Sequence, residues 1–129
     1  MSVVSQTSEV ILVADDNPDA LFMVQSMLDL LGFAAECVEN GRIACERAMT
    51  QRYRCILMDI EMPEMDGLAA ARTIRDAEQA EGGIFTPILG MTGHTDTGTR
   101  VLCERAGMSG VLLKPFLISN LEEKLAEIG

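Results

Sequence analysis

The chain has little aromatic or imidazole chemistry: among 129 residues there is no tryptophan, one tyrosine, four phenylalanines and one histidine. Hydrophobic residues nevertheless make up 48% of the chain, so we expect an aliphatic core rather than intrinsic disorder. The four cysteines form no C-x-x-C pair, and with a single histidine they do not supply a usual set of zinc ligands. We interpret them as reduced thiols of a cytoplasmic protein.

Positive charge and long apolar runs are also scarce. Ten lysines and arginines stand against twenty aspartates and glutamates, and this net charge of -10 argues against direct binding of nucleic acid. No apolar run approaches the ~18 residues that span a bilayer, and the polar N-terminus lacks the apolar centre of a signal peptide. We expect no membrane insertion, a flexible tail over residues 1–9 and one domain over residues 10–129.

Short apolar runs alternate with amphipathic stretches along the chain. The runs predict strands over Val10–Ala14, Phe33–Val38, Cys55–Met58, Pro87–Met91 and Val111–Leu113. The stretches predict helices from Pro18 to about Leu31, from the Asn40 cap to about Gln51, from Asp66 or Gly67 to about Ala80, from about Asp96 to Ala106 and over Ile118–Ile128. This alternation predicts an α/β fold of the flavodoxin-like class, a five-stranded parallel sheet in the order 2-1-3-4-5 with helices on both faces.

Polar residues follow four of the predicted strands. Asp15-Asp16 comes after the first strand, Asp59 after the third, Thr92-Gly93 after the fourth and Lys114 after the fifth. Because the carboxyl ends of parallel strands lie at one edge of a sheet, we expect these residues to meet. Three carboxylates, a hydroxyl and an ammonium are a suitable set for the transfer of a phosphoryl group to a carboxylate.

Each of these residues has a role in that hypothesis. Asp59 would be the nucleophile, since it is the carboxylate at the tip of the third predicted strand. Asp16 would bind Mg²⁺, with Asp15 helping directly or through water, because carboxylates are the protein ligands of this ion. Lys114 would pair with a phosphate oxygen as a point charge.

The residues after the fourth predicted strand would complete the site. Thr92 would donate a hydrogen bond from its hydroxyl to the phosphoryl group. Gly93 would leave room for that group beside the backbone. His94 is a single histidine in a loop, and we interpret it as a solvated side chain rather than a phosphate carrier. Glu36 and several other glutamates are interpreted as solvated as well.

The chain resembles the receiver domains of response regulators in two-component signalling, both single-domain regulators and the receivers of hybrid sensor kinases. The residues that carry this resemblance are Ala14-Asp15-Asp16-Asn17-Pro18, Met58-Asp59-Ile60-Glu61-Met62-Pro63-Glu64-Met65-Asp66-Gly67, Met91-Thr92-Gly93-His94 and Leu113-Lys114-Pro115-Phe116.

The resemblance implies a phospho-accepting switch or relay. A histidine kinase or histidine phosphotransfer protein would donate the phosphoryl group to Asp59, and the output would be contact with a downstream protein. Mg²⁺ would bind Asp16, Asp59 and the backbone carbonyl of Glu61, with Asp15 reaching it through water. The Lys114-Pro115 bond would be cis. Phosphorylation would pull Thr92 toward the phosphate and remodel the face formed by the fourth helix, the fifth strand and the fifth helix.

Val111 departs from the family pattern, because most similar receivers have tyrosine or phenylalanine three residues before the lysine. The aromatic switch that would respond to Thr92 is therefore missing in its usual form. We expect weaker coupling between the phosphate and the output face than in a typical member.

Two other functions stay open on the sequence. Val111 favours a receiver-like binding module that works without phosphorylation. A Mg²⁺-dependent phosphohydrolase with an aspartyl-phosphate intermediate is the less favoured alternative, because such enzymes show a D-x-D-x-T pattern where this chain has Asp15-Asp16-Asn17-Pro18. On the leading hypothesis the chain is not a turnover enzyme and carries out only its own phosphorylation and dephosphorylation.

Overall fold

Five strands and five helices alternate in the computed structural model, which describes residues 9–62, 65–94 and 96–128. The strands are β1 (Val10–Ala14), β2 (Ala34–Val38), β3 (Cys55–Asp59), β4 (Ile88–Thr92) and β5 (Gly110–Leu113). The helices are α1 (Pro18–Leu30), α2 (Gly41–Thr50), α3 (Gly67–Ala80), α4 (Thr97–Arg105) and α5 (Ile118–Ile128). Eight residues of the predicted N-terminal tail, 1–8, lie outside this description.

The strands form one parallel sheet in the order β2-β1-β3-β4-β5, which confirms the predicted topology. Most predicted boundaries are within a residue or two of the observed ones. β2 begins one residue later than predicted because the Phe33 N–H donates to the Leu28 carbonyl and so belongs to the end of α1. β3 and β4 each extend one residue further, and Asp59 and Thr92 are therefore the last residues of strands.

Polar side chains cap the N-termini of four helices, as the sequence indicates. The Asn17 side chain accepts from the backbone of Asp19 and Ala20, with Pro18 in the first turn of α1. Asn40, Asp66 and Asp96 act in the same way at α2, α3 and α4. These caps satisfy N–H groups that have no partner inside the helix.

The core lies on both faces of the sheet. Alternate residues of a strand point to opposite faces, so Ile56 and Met58 pack with residues of α2, α3 and α4, whereas Cys55 and Leu57 pack with residues of α1 and α5. The four named side chains of β3 are fully buried, as expected for a strand covered on both faces. Helices on both faces of the sheet are thereby confirmed.

Glu36 corrects one interpretation, because its side chain is only partly exposed and accepts three hydrogen bonds. Its carboxylate accepts hydrogen bonds from Arg47 Nε at 2.6 Å, Gln51 Nε2 at 2.9 Å and Tyr53 Oη at 2.8 Å. Burial raises the pKa of Glu36, but the hydrogen bonds from Arg47 and Tyr53 outweigh this and leave it below its ordinary value. The cluster links β2 to α2 and to the connection between α2 and β3.

Among the residues that the structure describes, no helix combines the length and apolarity needed to cross a bilayer.

Candidate functional site

The order of the strands places the candidate residues at one edge of the sheet. β1 lies between β2 and β3, so the connections leaving β1 and β3 run to opposite sides and open a crevice at their carboxyl ends. Asp15 follows β1, and its N–H donates to the Val38 carbonyl at 3.1 Å. Asp59 closes β3, and Lys114 follows β5 with its N–H donating to the Thr92 carbonyl at 2.7 Å.

Lys114 contacts two buried carboxylates. Its Nζ lies 2.9 Å from Asp15 Oδ2 and 3.4 Å from Asp59 Oδ2. The side chains of Asp15 and Asp59 are only 1% and 6% exposed, whereas that of Lys114 is 31% exposed. The cation thus reaches into the site from its solvent side and links the ends of β1, β3 and β5.

The acidic residues form a group that fits a hard cation. One carboxylate oxygen from each of Asp15, Asp16 and Asp59 lies within 4.8 Å of the others, with Asp16 exposed. Oxygen ligands of this kind suit Mg²⁺, which keeps part of its water shell when it binds to proteins. Two buried members and one exposed member leave an open side for water or a phosphoryl group.

The environment of Asp59 favours its neutral form. Burial raises the pKa of Asp59 to about 6, and the negative charge of Asp15 adds to the rise. The Glu61 N–H, which donates to Asp59 Oδ1 at 3.1 Å, and the Lys114 ammonium act in the opposite direction. Burial lowers the pKa of Lys114, but its hydrogen bond to Asp15 and the charge of Asp59 leave it above the ordinary value.

Thr92 and Gly93 lie at the carboxyl end of β4. Thr92 is fully buried, and its Oγ1 accepts a hydrogen bond from the His94 N–H at 3.0 Å. A Cβ added to Gly93 would meet nothing within 4 Å, so the space beside this residue is open. The open space is compatible with a group that approaches the backbone there.

His94 has a partner that the sequence interpretation did not foresee. Its Nε2 lies 2.9 Å from Glu61 Oε2, and both side chains remain exposed, by 58% and 60%. The contact joins the loop after β4 to the loop after β3, beside Asp59. No pattern in the sequence indicates this pair, because its members stand on separate loops 33 residues apart.

The β5 end of the site carries two further predicted features. The Lys114-Pro115 peptide bond is cis, as the resemblance implied. Val111 is half-buried in β5 and pairs with Gly90 of β4. Two residues of the resembling motifs, Pro63 and Glu64, lie outside the described residues.

An apolar groove adjoins this site. It has a volume of about 300 Å³ and is lined by Asp15, Ala20, Met23, Val24, Lys114, Pro115 and Phe116. Two exposed apolar residues adjoin its lining in the sequence: Phe22, exposed by 73%, precedes Met23, and Leu117, exposed by 69%, follows Phe116. The groove therefore brings a hydrophobic surface next to the charged group around Lys114.

Comparison with known proteins identifies relatives of this chain by sequence. The family model for the response regulator receiver domain matches residues 11–126. The sensor histidine kinase GacS of Pseudomonas protegens is 31% identical over 118 residues, which cover 92% of this chain and 12% of GacS. The chain therefore corresponds to a small part of that relative's length.

Two solved structures extend this similarity to three dimensions. The receiver domain of sensor histidine kinase PA1611 from Pseudomonas aeruginosa PAO1 is 36% identical, with a TM-score of 0.82 over 92% of this chain and 94% of that one. That structure has a magnesium ion coordinated in its active site cleft. The chemotaxis protein CheY4 of Vibrio cholerae is 30% identical, with a TM-score of 0.85 over 93% of this chain and 98% of that one.

Proposed function

The chain belongs to the response regulator receiver domain family, and from this premise we propose that Asp59 is the residue that accepts the phosphoryl group. As a receiver domain it is a phospho-accepting module of two-component signalling. One observation carries the assignment to Asp59: this buried carboxylate ends β3 with the Lys114 ammonium 3.4 Å away. Asp15 and Asp16 lie beside it.

In the proposed reaction, a carboxylate oxygen of Asp59 attacks the phosphorus of a phosphohistidine on the donor protein. A P–O bond forms while the P–N bond breaks, and the electron pair of the P–N bond leaves with the donor's imidazole. Lys114 pairs with an oxygen of the transferred group as a compact point charge. Thr92 turns its hydroxyl toward the same group, and Gly93 leaves the backbone accessible there.

We propose that Asp15, Asp16, Asp59 and the backbone carbonyl of Glu61 hold Mg²⁺, with Asp15 acting directly or through water. The close grouping of the three carboxylates supports this. When bound, Mg²⁺ supplies positive charge against the negative oxygens of the phosphoryl group. The Glu61 N–H meanwhile holds one oxygen of Asp59 in place.

The donor we propose is a histidine kinase or histidine phosphotransfer protein, and the receiving partner is a downstream protein. The apolar groove that Lys114 helps to line, with Met23 and Phe116 also in its lining, supports docking of the donor next to Asp59. We propose no direct contact with nucleic acid because the net charge is -10.

We further propose that the chain is a switch rather than a turnover enzyme, acting on no substrate besides its own Asp59. The cytoplasm is the compartment we propose, because the four cysteines are unpaired thiols, which a reducing compartment preserves. The domain we propose runs over residues 10–129.

Intact-mass spectrometry after incubation with acetyl phosphate tests the assignment of Asp59. We expect a single phosphate adduct that depends on Mg²⁺ and is absent from Asp59→Asn. Asp76→Asn is the matched control, since Asp76 is an exposed carboxylate on α3. An adduct that persists in folded Asp59→Asn would contradict the assignment.

A phosphorylation-independent binding module is the second candidate, and Val111 is the observation that favours it. Failure of the folded wild-type protein to take up phosphate from both acetyl phosphate and a phosphorylated phosphotransfer protein would support it. Repeated release of phosphate from sugar phosphates would instead indicate a phosphohydrolase.

A further inference from the structure

The side chain of Met108 occupies the space that a side chain at Gly90 would fill. A Cβ built on Gly90 would lie 2.6 Å from Met108 Sδ and 3.4 Å from Met108 Cε. Met108 is 7% exposed and belongs to the core cluster that contains Ile60 and Cys103. Met108, in the turn before β5, thus fills the space left by the missing side chain in the middle of β4.

The backbone around Met108 is held on both sides. Gly107, at a φ of +93°, closes α4, and its carbonyl accepts a hydrogen bond from Arg75 Nε at 2.9 Å. The Met108 N–H donates to the Cys103 carbonyl at 3.0 Å, and the Ser109 N–H donates to the Ile88 carbonyl at 2.7 Å. With the backbone fixed, rotation about the unbranched side chain is the movement that Met108 retains.

One end of this side chain lies against elements of the phosphoryl site. Gly90 is two residues before Thr92, so both face the same side of β4. Ile60 directly follows Asp59, and its Cγ2 lies 3.3 Å from the position of a Gly90 Cβ. A shift of Thr92 or of the Asp59 end of β3 therefore changes the space that Met108 fills.

Met108 also lines a groove at β5. This groove has a volume of about 240 Å³ and is lined by Arg100, Cys103, Glu104, Met108, Ser109, Gly110, Val111 and Lys124. Val111 contributes a small side chain to it and pairs with Gly90 across the sheet. We call this the β5 groove.

We propose that Met108 is a positioning residue that couples Thr92 and Ile60 to the β5 groove, in place of the aromatic residue that Val111 replaces. The inference rests on the proposed function, because the movement that starts it is the response to phosphorylation of Asp59. The position of Met108 between Gly90 and the β5 groove identifies the side chains that we expect to respond together. It is the alternative to the weak coupling that we expect from Val111, and the experiment below distinguishes the two.

Methyl NMR of the full chain tests this inference. The nine methionine methyl groups are labelled, together with those of valine, and the Met108 signal is assigned from the spectrum of Met108→Leu. Spectra are recorded with Mg²⁺ before and after acetyl phosphate, and intact mass verifies the adduct in the same sample. We expect the Met108 and Val111 methyl signals to shift on phosphorylation. Met49, an exposed residue of α2, serves as the internal control and keeps its shift.

Variants separate coupling from packing. In Met108→Ala we expect phosphorylation to persist while the phosphate-dependent shift of Val111 is lost, and in Met108→Leu we expect part of it to return because the contact is restored. Gly90→Ala is an independent variant that leaves Met108 in the chain. Its added methyl displaces the flexible end of Met108, so we expect the Met108 signal to move before any phosphate is added, with no further shift at Val111 afterwards.

Each other outcome has a separate meaning. An adduct without any shift at Met108, or a Val111 shift that survives in both Met108→Ala and Gly90→Ala, overturns the role of Met108 and leaves the proposed function intact. If no methyl signal of the β5 groove shifts despite full phosphorylation, the role of Met108 is also overturned, and this result supports the expectation of weak coupling. Absence of the adduct in folded wild-type protein overturns the proposed function, and the inference falls with it.

Discussion

At the scale of the residue, the main feature of the site is repulsion between the carboxylates around Asp59. Two buried carboxylates share one ammonium, and a third, exposed carboxylate stands beside them. Burial of a charge is costly unless it is paired. The repulsion between these carboxylates opposes folding and also favours binding of a cation, so function and stability are opposed at this position.

Asp59→Asn should stabilise the metal-free protein at neutral and higher pH. The pKa of Asp59 rises from 3.8 to about 6 on folding, so the native state binds more protons than the unfolded state between these values. Wild-type stability should therefore fall as pH rises through this window, and the variant should escape that fall. We expect a gain of about 1–3 kcal/mol at pH 8, vanishing below about pH 4.

Urea unfolding in EDTA across pH 4–8 measures this difference. Asp76→Asn, an exposed carboxylate on α3, should show no comparable gain. A loss of stability in Asp59→Asn at pH 8 would contradict the electrostatic description of the site.

Lys114→Met should have the opposite effect, because it leaves Asp15 and Asp59 as buried like charges without their cation. We expect a loss of about 1–3 kcal/mol at pH 7.5 in EDTA. The loss should decrease as the pH falls and Asp59 takes up a proton, and this uptake should lie above the wild-type pKa of about 6 because the Lys114 charge no longer opposes the rise. Lys124→Met is the matched control, since Lys124 pairs with the exposed Glu127 on α5. A double-mutant cycle with Asp59→Asn should show that the two changes are not additive; additivity would indicate that the contact between them contributes nothing.

At the scale of the element, the position of α3 depends on the absence of a side chain at its first residue. A Cβ on Gly67 would lie 2.7 Å from the Cα of Ile60 and closer still to the Asp59 carbonyl oxygen. The Gly67 N–H donates to the Ile60 carbonyl, so the start of α3 packs directly on the end of β3. The backbone of Asp59 is thereby held by the helix that follows it.

Gly67→Ala should force α3 away from β3. Since the colliding atoms are backbone and cannot rotate away, we expect a loss of about 1–3 kcal/mol by thermal or urea unfolding. Phosphate uptake from acetyl phosphate should slow in the same variant, because the collision displaces Asp59. Gly98→Ala in α4, whose added Cβ meets only the Asp96 side chain at 3.2 Å, should leave both properties close to wild type. Equal stability of the two variants would contradict the close packing.

At the scale of the whole molecule, an excess of negative charge is concentrated where a cation is expected. The chain carries a net charge of -10, and the group Asp15, Asp16 and Asp59 gathers part of it at one edge of the sheet. Any ligand that binds the native state alone stabilises that state by mass action. Folding stability therefore reports on the proposed ion without any partner protein.

Mg²⁺ should raise the melting temperature of the protein. At a concentration one hundred times its dissociation constant, we expect stabilisation of about 2.7 kcal/mol. Asp16→Asn should reduce this effect without a large change in the stability measured in EDTA, because Asp16 is exposed, and Asp29→Asn, also exposed but on α1, should not reduce it. Differential scanning fluorimetry at constant ionic strength makes the comparison, and an identical Mg²⁺ response in Asp16→Asn would exclude that residue as a ligand.

The sequence alone determined the elements, their order and the placement of Asp59 and Lys114 at strand ends. These features follow from local information, since apolar periodicity and turn residues mark the elements and parallel connections bring strand ends to one edge. The predicted start of β2 was one residue early because a hydrogen bond to another element sets it. The Phe33 N–H donates to the Leu28 carbonyl and so belongs to the C-terminal end of α1.

Only the tertiary structure decided which distant side chains meet. Three such contacts join residues on different elements. Glu61 pairs with His94, and Glu36 accepts hydrogen bonds from Arg47 and Tyr53. The Met108 side chain packs beside Gly90. No periodicity encodes such contacts, because each depends on the rotamers and the spacing of elements that the packed core sets. The raised pKa of Asp59 is of the same kind, since it arises from burial and from neighbours that folding brings together.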